Sequence, residues 1–545
     1  MHQSKLMPSC LLLLFWLNAF LFIPPPSFGQ SPVPISKSFP TDDGRTLNTL
    51  FPTPDGGYLA TGSRLNTSIG NHSDAYLLKL DDALEVEWFR MVGDTFPQES
   101  FGLARMQDGN YVMGLTAYVT GGDPRISLVK FNPNGDTLWS RKYIAPGPPY
   151  AETGHKVFST VEGNVVVVGQ SFGVGSPSYG LALFMVDPQG NSLWSTTLTL
   201  AGNDYALPYG VTEDSQGNLY ISGIAIQNNN GGTSLLVVKY DRNGNQLWSK
   251  VYSPNMTNYG MDIEMVGDSS LLVVGYGTHQ GRTRAMACRL DSSGNPIGQM
   301  VHYGTSNSLN PEYADDCTVD LDGNFLVTGN IAHGINQGPC LVKFDPQLDT
   351  VYTRLWDRPG PDDVYKVLVS RTASGIATAH TSYDYFNLFP NDHNIDLLDA
   401  NGQSSCSNLN PGLEFFRTPF NDFPITFIAQ TGRSIMSSPW PISAPGLTLL
   451  DPCGVVASIE EVGPSLTIFP NPGTGLFQIE PALEEGKVRV LDLKGRTLQA
   501  FQVEGQLHSL DLSHFPSGIY LFELSSLNQR MVKRLAIRLH ILQQK

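Results

Sequence analysis

Lys239-Tyr240-Asp241-Arg242-Asn243-Gly244-Asn245-Gln246-Leu247-Trp248 reads as two strand ends joined by a turn. The apolar run Leu235-Leu236-Val237-Val238 leads into it, and Ser249-Lys250-Val251-Tyr252 continues out of it. Asn243-Gly244 between such runs supplies the positive φ angles of a tight β-hairpin. The pattern recurs at residues 130–139 and 185–194, and in weaker form at 79–88, 289–298, 343–352 and 397–406. Successive copies end 51, 55, 54, 50, 54 and 54 residues apart.

A second anchor precedes each hairpin. A turn such as Asp108-Gly109-Asn110 opens an apolar strand that closes on a small residue, and the closing glycines are Gly62, Gly114, Gly169, Gly223, Gly275 and Gly329. A seventh, degenerate copy is Ser374-Gly375-Ile376-Ala377-Thr378-Ala379. Two independent anchors sharing one period define a repeat of about 53 residues. Each unit holds four strands, and a lone four-stranded sheet cannot bury both of its faces. Seven units stacked around an axis bury them and leave only short edges. The expected fold is therefore all-β, a seven-bladed β-propeller over residues 30–406. Trp139, Trp194 and Trp248 are read as seals between blades rather than ligand contacts. Ile35-Ser36-Lys37-Ser38-Phe39 resembles the fourth-strand stretch Trp248 to Tyr252 yet precedes the first repeat, so it is expected to complete the last blade.

Composition agrees. Gly 54 and Pro 38 in 545 residues favour turns and short strands over long helices. The net charge of −16 gives no basic footprint for nucleic acid. From Ile459 onward nine acids meet nine bases, so the charge resides upstream. Residues 1–29 read as a secretory signal: Lys5, then a 13-residue apolar run from Leu11 to Ile23 broken only by Asn18, then Pro24-Pro25-Pro26 and small residues. The run is short of the roughly 20 residues that a membrane span needs, so no span is expected once the signal is cleaved. Of the remaining cysteines, Cys288 and Cys340 read as buried thiols. Cys406 and Cys453 flank the irregular linker expected at 407–458 and are the pair chosen for a disulfide in an oxidising compartment.

The tail, residues 459–540, changes period and reads as a small antiparallel sandwich, Ig-like in form. Its motifs are Pro470-Asn471-Pro472 with Gly475, Val490/Asp492/Gly495, the Leu512/Gly518/Tyr520 set and the late Lys533. These resemble the C-terminal sorting domain of type A cargo of the type IX secretion system of Bacteroidetes. The repeats are similar to bacterial propeller repeats coupled to such tails. The resemblance implies export through the periplasm and across the outer membrane, with the secretion machinery and its sortase as partners. It also implies removal of the tail, followed by release or attachment to surface lipopolysaccharide. Residues 541–545 extend past the usual final strand.

Chemistry is harder to find. Asp241-Arg242-Asn243-Gly244-Asn245 lacks the carboxylates of a calcium loop and is read as hairpin-turn chemistry. No nucleophile elbow or phosphate loop is assigned, and the scattered histidines are read mostly as solvent-facing. Before most first strands stands an acid or aromatic next to a small residue: Asp43, Glu99, Glu152, Tyr209, Tyr259, Asp315 and Asp363. In a propeller these converge on one mouth of the central channel. Such a ring would bind a cation, calcium being the one considered, or a carbohydrate. Alternatively its members hydrogen-bond neighbouring blades. No catalytic residue, metal ligand or obligatory cofactor is assigned. The preferred function is a secreted or surface-displayed scaffold that binds a glycan or protein ligand. The alternative is an extracellular propeller enzyme, either a polysaccharide hydrolase or lyase or a quinoprotein-like dehydrogenase.

Overall fold

The computed structural model describes residues 34–443 and 467–537. Left out within those spans are 41–45, 67–71, 94–95, 120–122, 146–149, 174–178, 201–203, 228–231, 254–256, 307–309, 334–335, 358–361, 373–374, 385–388, 406, 427, 432–433, 438–441, 470–475, 492–496, 516–517 and 526–529. The signal segment, Cys406 and Cys453 therefore lie outside the described residues.

The Asp-x-x-Gly-Asn turns form because one carboxylate organises each of them. Asp241 Oδ1 accepts the backbone N–H of Asn243 (2.9 Å) and of Asn245 (2.8 Å), and Oδ2 accepts from the Asn245 amide (2.8 Å). Asp187 and Asp291 do the same. Only the glycine has positive φ, 83° at Gly244, and the register slips between Lys239 and Tyr240. The loop is thus a turn with a glycine bulge, one residue wider than the two-residue hairpin expected from Asn243-Gly244.

Seven antiparallel sheets follow, at 47–92, 98–144, 150–199, 205–252, 258–305, 313–357 and 362–398, and we number them as blades 1 to 7. The seven-bladed propeller expected from the repeats is the observed fold. Blade faces bury one another's aliphatic side chains. Val168 and Leu183 of blade 3, for example, share a core with Ile221 and Val238 of blade 4, each worth about 1.5–3 kcal/mol when fully buried.

The tryptophans clamp blade to blade. A methyl group placed at Gly190, Gly244 or Gly294 would sit 3.1, 2.6 and 2.7 Å from Trp139, Trp194 and Trp248 of the preceding blade. Trp139 Nε1 and Trp194 Nε1 also donate to the turn carbonyls of Pro188 (3.1 Å) and Arg242 (3.0 Å). Two blades are preceded by an aliphatic residue at the tryptophan position: Ile35, paired with Leu397, before blade 1, and Ile297, paired with Arg289, before blade 6. There the positive-φ turn position holds Leu84 and Leu348, both buried, instead of glycine.

The N-terminal strand Ile35–Pro40 pairs antiparallel with Phe389–Leu398 and supplies the outer strand of blade 7, as its sequence suggested. Buried Ser36 donates to Asp396 Oδ1 across this seam (2.5 Å). The stretch expected as an irregular linker is instead a strap of short strands. Ser407–Leu409, Leu413–Thr418, Asp422–Pro424, Ile428–Thr431, Ser434–Ser437 and Ile442–Ser443 pair with the outer strands of blades 6, 5, 4, 3, 2 and 1 in that order. The chain thus runs back around the ring against the direction of the blades. Open ladder edges on the blades supply the hydrogen bonds that hold these strands, so they need no periodic apolar pattern of their own.

Residues 455–545 form a second compact unit. Leu476–Leu491 pairs with Thr497–Asp511, Thr467–Phe469 and Gly518–Ser525, and the last of these pairs with Arg530–Ile537. Phe477, Val488, Val490, Leu510 and Leu512 are buried in it.

The clamp predicts a position-dependent cost. Gly323 has φ 82° and nothing within 4 Å of an added methyl, so Gly323→Ala should lose about 1–2 kcal/mol from backbone strain alone. Gly244→Ala adds overpacking against Trp194 and should lose about 2–4 kcal/mol. Denaturant unfolding of both variants checks the difference, and equal losses would rule the clamp out.

Candidate functional site

The closing glycine of each repeat marks a bulge. A methyl group at Gly62, Gly169, Gly223, Gly275 or Gly329 would lie 1.9–2.4 Å from a backbone carbonyl of its own blade's first strand. That strand presses in because it carries an extra residue just beyond the contact: the register slips at Asn48, Phe101, His155, Tyr209, Met261 and Asp315, and at Tyr365-Lys366. A bulge re-aims a side chain and is favoured at such sites. Asn48, Phe101, His155, Tyr209, Met261, Asp315 and Lys366, one from each blade, all line a central cavity of about 1610 Å³.

One residue further along, a lysine bars the channel. Lys156 of blade 3 reaches Asp262 of blade 5 (3.0 Å) and Asp316 of blade 6 (3.7 Å). The carboxylates also tie blades together. Asp262 accepts the Cys317 N–H of blade 6 (3.3 Å), Asp316 the Val369 N–H of blade 7 (2.9 Å), and Asp315 the Val367 N–H of blade 7 (3.0 Å). Each first strand is the inner edge of its sheet, and these acids satisfy N–H groups that the ladder leaves over.

Burial in this channel shifts the acids apart. It pushes Asp315 up to about 7 and Glu264 up to about 8, the latter helped by the charge of Asp262. Burial also raises Asp316, whereas at Asp262 the Lys156 charge and hydrogen bonds from Asp316, Lys156 and the Ile263 N–H together outweigh burial and hold that carboxyl below the usual range. Burial, with Lys366 adding to it, keeps the His155 imidazole down at about 4 and hence neutral at pH 7.

An aromatic wall spans blades 4 to 6. Tyr276 stacks on Tyr259 (centroids 4.3 Å, planes 13° apart) and meets the edge of Tyr313 (4.6 Å), while Tyr209 lies edge-on to His155 (5.3 Å).

The seven residues expected at the channel mouth therefore divide. Tyr209 and Asp315 line the cavity. Tyr259 backs Tyr276, one layer behind the lining. Glu99 is half-buried in the first strand of blade 2, and Glu152 is wholly buried in that of blade 3; neither lines the cavity. Asp363 falls within the strand Asp362–Arg371, and Asp43 lies outside the described residues. Sequence reasoning missed Lys156, Asp262, Glu264, Asp316, Lys366 and Tyr276, although the closing glycines pointed to the bulges that aim the neighbouring side chains. The histidines also need correction. His302, His380 and His393 are buried within strands rather than solvent-facing, because blades 5 and 7 pack polar side chains between their sheets. Cys288 and Cys340 are buried free thiols as expected, and so is Cys317.

Residues 467–538 match the family model described as the secretion system C-terminal sorting domain. The tail is a sorting domain. Within it Tyr520 is buried, and Gly518 and Lys533 sit on paired strands. Pro470, Asn471, Pro472, Gly475, Asp492 and Gly495 lie outside the described residues. The sorting domain implies export to the cell surface or the extracellular space. Among the described residues no helix is long and apolar enough to cross a membrane.

Elsewhere the likenesses are remote. An uncharacterized WD repeat-containing protein of Acanthamoeba polyphaga mimivirus is 24% identical over 211 residues, which is 29% of this chain and only 15% of that protein. Among solved structures, a protein of unknown function from Dyadobacter fermentans is 9% identical, covering 66% of this chain and 97% of its own, with a TM-score of 0.38. The polysaccharide lyase Uly1 is 8% identical over 68% of this chain and 100% of its own, with a TM-score of 0.41. Trypanosoma rangeli sialidase is 11% identical over 65% and 55%, with a TM-score of 0.36. None of these carries an activity over to this chain.

Glu264 sets a pH dependence. A carboxyl whose pKa is higher in the fold than the ordinary 4.5 holds more protons folded than unfolded, so stability falls as pH rises from about 4.5 through 8. Glu264→Gln removes that slope. Between pH 5 and pH 8 the wild type should lose stability relative to Glu264→Gln, by roughly 1 kcal/mol or more. Unfolding at the two pH values measures it, and parallel profiles would show that Glu264 ionises freely.

Proposed function

We propose that this chain is a type IX secretion cargo of a Bacteroidetes cell, a β-propeller delivered to the surface or the medium as a binding scaffold whose ligand enters the central channel. One observation carries the choice of scaffold over enzyme. Of the four channel carboxylates, Asp262, Asp315 and Asp316 are engaged in holding blades together through backbone N–H groups, which leaves Glu264 without a second free carboxyl. A general acid–base pair needs carboxyls free to exchange protons with substrate. What remains for a ligand is the aromatic wall and the polar lining of the cavity. Tyrosine faces beside amide groups suit the alternating apolar and hydroxyl surfaces of sugars, and tyrosine wedges suit peptide ligands as well.

Two outcomes follow. Deleting residues 467–538 should leave the folded propeller in the periplasm, as fractionation would read. A glycan array and pull-down with the secreted protein should return a ligand whose capture falls at least about tenfold in Tyr276→Ala plus Tyr313→Ala. Undiminished capture would move the site off the channel. New reducing ends released from a bound polysaccharide would turn the choice to the enzyme reading.

A further inference from the structure

The half of the channel where the first strands begin has a chemistry that ring assembly does not use. It is lined by Tyr209, Tyr276 and Tyr313 from blades 4 to 6 and by Lys366, contributed by the bulge of the adjoining blade 7. Most cations on the blade walls are paired: Lys79 with Asp55 and Glu87, Lys130 with Asp108, Lys343 with Asp320, and Lys156 within the bar. Lys366 has no ion-pair partner among the described residues. The charges of Asp316, Asp315 and Asp262 favour its protonated form, yet none of them reaches it as an ion pair: Asp262 faces Lys156, and Asp315 and Asp316 are turned to backbone N–H groups of blade 7. Burial and the Lys156 charge both act against Lys366. An ammonium in that position gains from any anion that enters.

A cation and an aromatic wall lining one cavity form a recognition set. The wall offers stacking faces, Asn48, Asn330 and Gln337 offer amide groups at the lining, and the ammonium offers one charge contact. A neutral sugar would leave Lys366 unsatisfied. A small free anion would leave the tyrosines unused. We infer that this half of the channel is a subsite for an acidic sugar, a uronate or sulfated residue of a polysaccharide, with Tyr276 and Tyr313 as its stacking wall and Lys366 as its anion partner. This rests on the channel being the binding site, as proposed above.

Titration of the purified full-length protein tests it. The probes are a galacturonate oligosaccharide, its neutral methyl ester of the same length, and a sulfated oligosaccharide, at about 50 mM and about 300 mM salt. The acidic oligosaccharides should bind more tightly than the ester, and the advantage should shrink at the higher salt. Which of the two acidic probes binds more tightly assigns the anion as carboxylate or sulfate. Lys366→Met should weaken the acidic probes about tenfold or more and leave the ester unchanged. Lys366→Arg should retain binding, and Tyr276→Ala should weaken all three probes. Thermal unfolding of each variant verifies folding, and Lys366→Arg keeps the test decisive if Lys366→Met does not fold. Equal affinity for acid and ester, or full acidic affinity in Lys366→Met, would overturn the inference. If no sugar binds but a protein is captured through the channel, the acidic-sugar subsite falls and the scaffold stands. If nothing engages the channel, both fall.

Discussion

The contact between a first-strand carbonyl and the glycine opposite it sets the interior of this protein. At Gly275 and Gly329 an added methyl would lie 1.9 Å from the carbonyls of Tyr259 and Tyr313. No other residue leaves room for that approach. Because the strand is pressed in there, the residue two positions on, Met261 or Asp315, is squeezed out of the ladder, and the bulge turns that residue toward the axis. The contact recurs in blades 1, 3, 4, 5 and 6 and the bulge in all seven, and together they convert strand edges into a ring of side chains around a cavity. The bar of Lys156, Asp262 and Asp316 sits one residue past the bulges, so it depends on the same contact for its depth.

The outside of the ring answers a different constraint. Blades present open outer edges, and unpaired ladders invite pairing between molecules. Here two devices cover them. Ile35–Pro40 supplies the outer strand of blade 7, and the strap adds a fifth strand to each of the other six blades. Since both devices join parts of the chain far apart in sequence, they also resist opening of the ring at its seam. The tryptophans complete the closure at the turns, where each ring lies over the next blade's glycine.

Legibility in the sequence followed locality. The turn chemistry of Asp241 to Asn245, the spacing of Gly62 through Gly329 and the motif order of the tail all lie within a few residues or repeat at a fixed step, and these gave the seven blades and the sorting domain. The strap was not legible because its strands are two to six residues long and borrow their hydrogen bonds from blade edges. The bar was not legible because Lys156 meets partners that lie 106 residues and more away, and only ring closure brings them together. Glu152 misled because a bulge reverses strand alternation: three residues before the bulge at His155 it turns into the protein, while Tyr209 and Asp315, being bulge residues themselves, face the axis. The closing glycines held that information, but read as simple strand ends they did not disclose it.

Charge balance gives the last step. The chain as a whole carries 50 acids against 34 bases. Among the charged residues that line the cavity the two signs are equal: Arg105, Lys156, Lys366 and Arg371 face Asp262, Glu264, Asp315 and Asp316. Burial favours the neutral form of Glu264, Asp315 and Asp316, and among the described residues no carboxyl forms an ion pair with Lys366. The acidity therefore belongs outside the channel, where charge of one sign opposes association between copies. The interior is poised the other way, with cations less compensated than anions. A channel with that balance draws negative groups inward and repels the cations that the acidic composition alone would lead one to expect there.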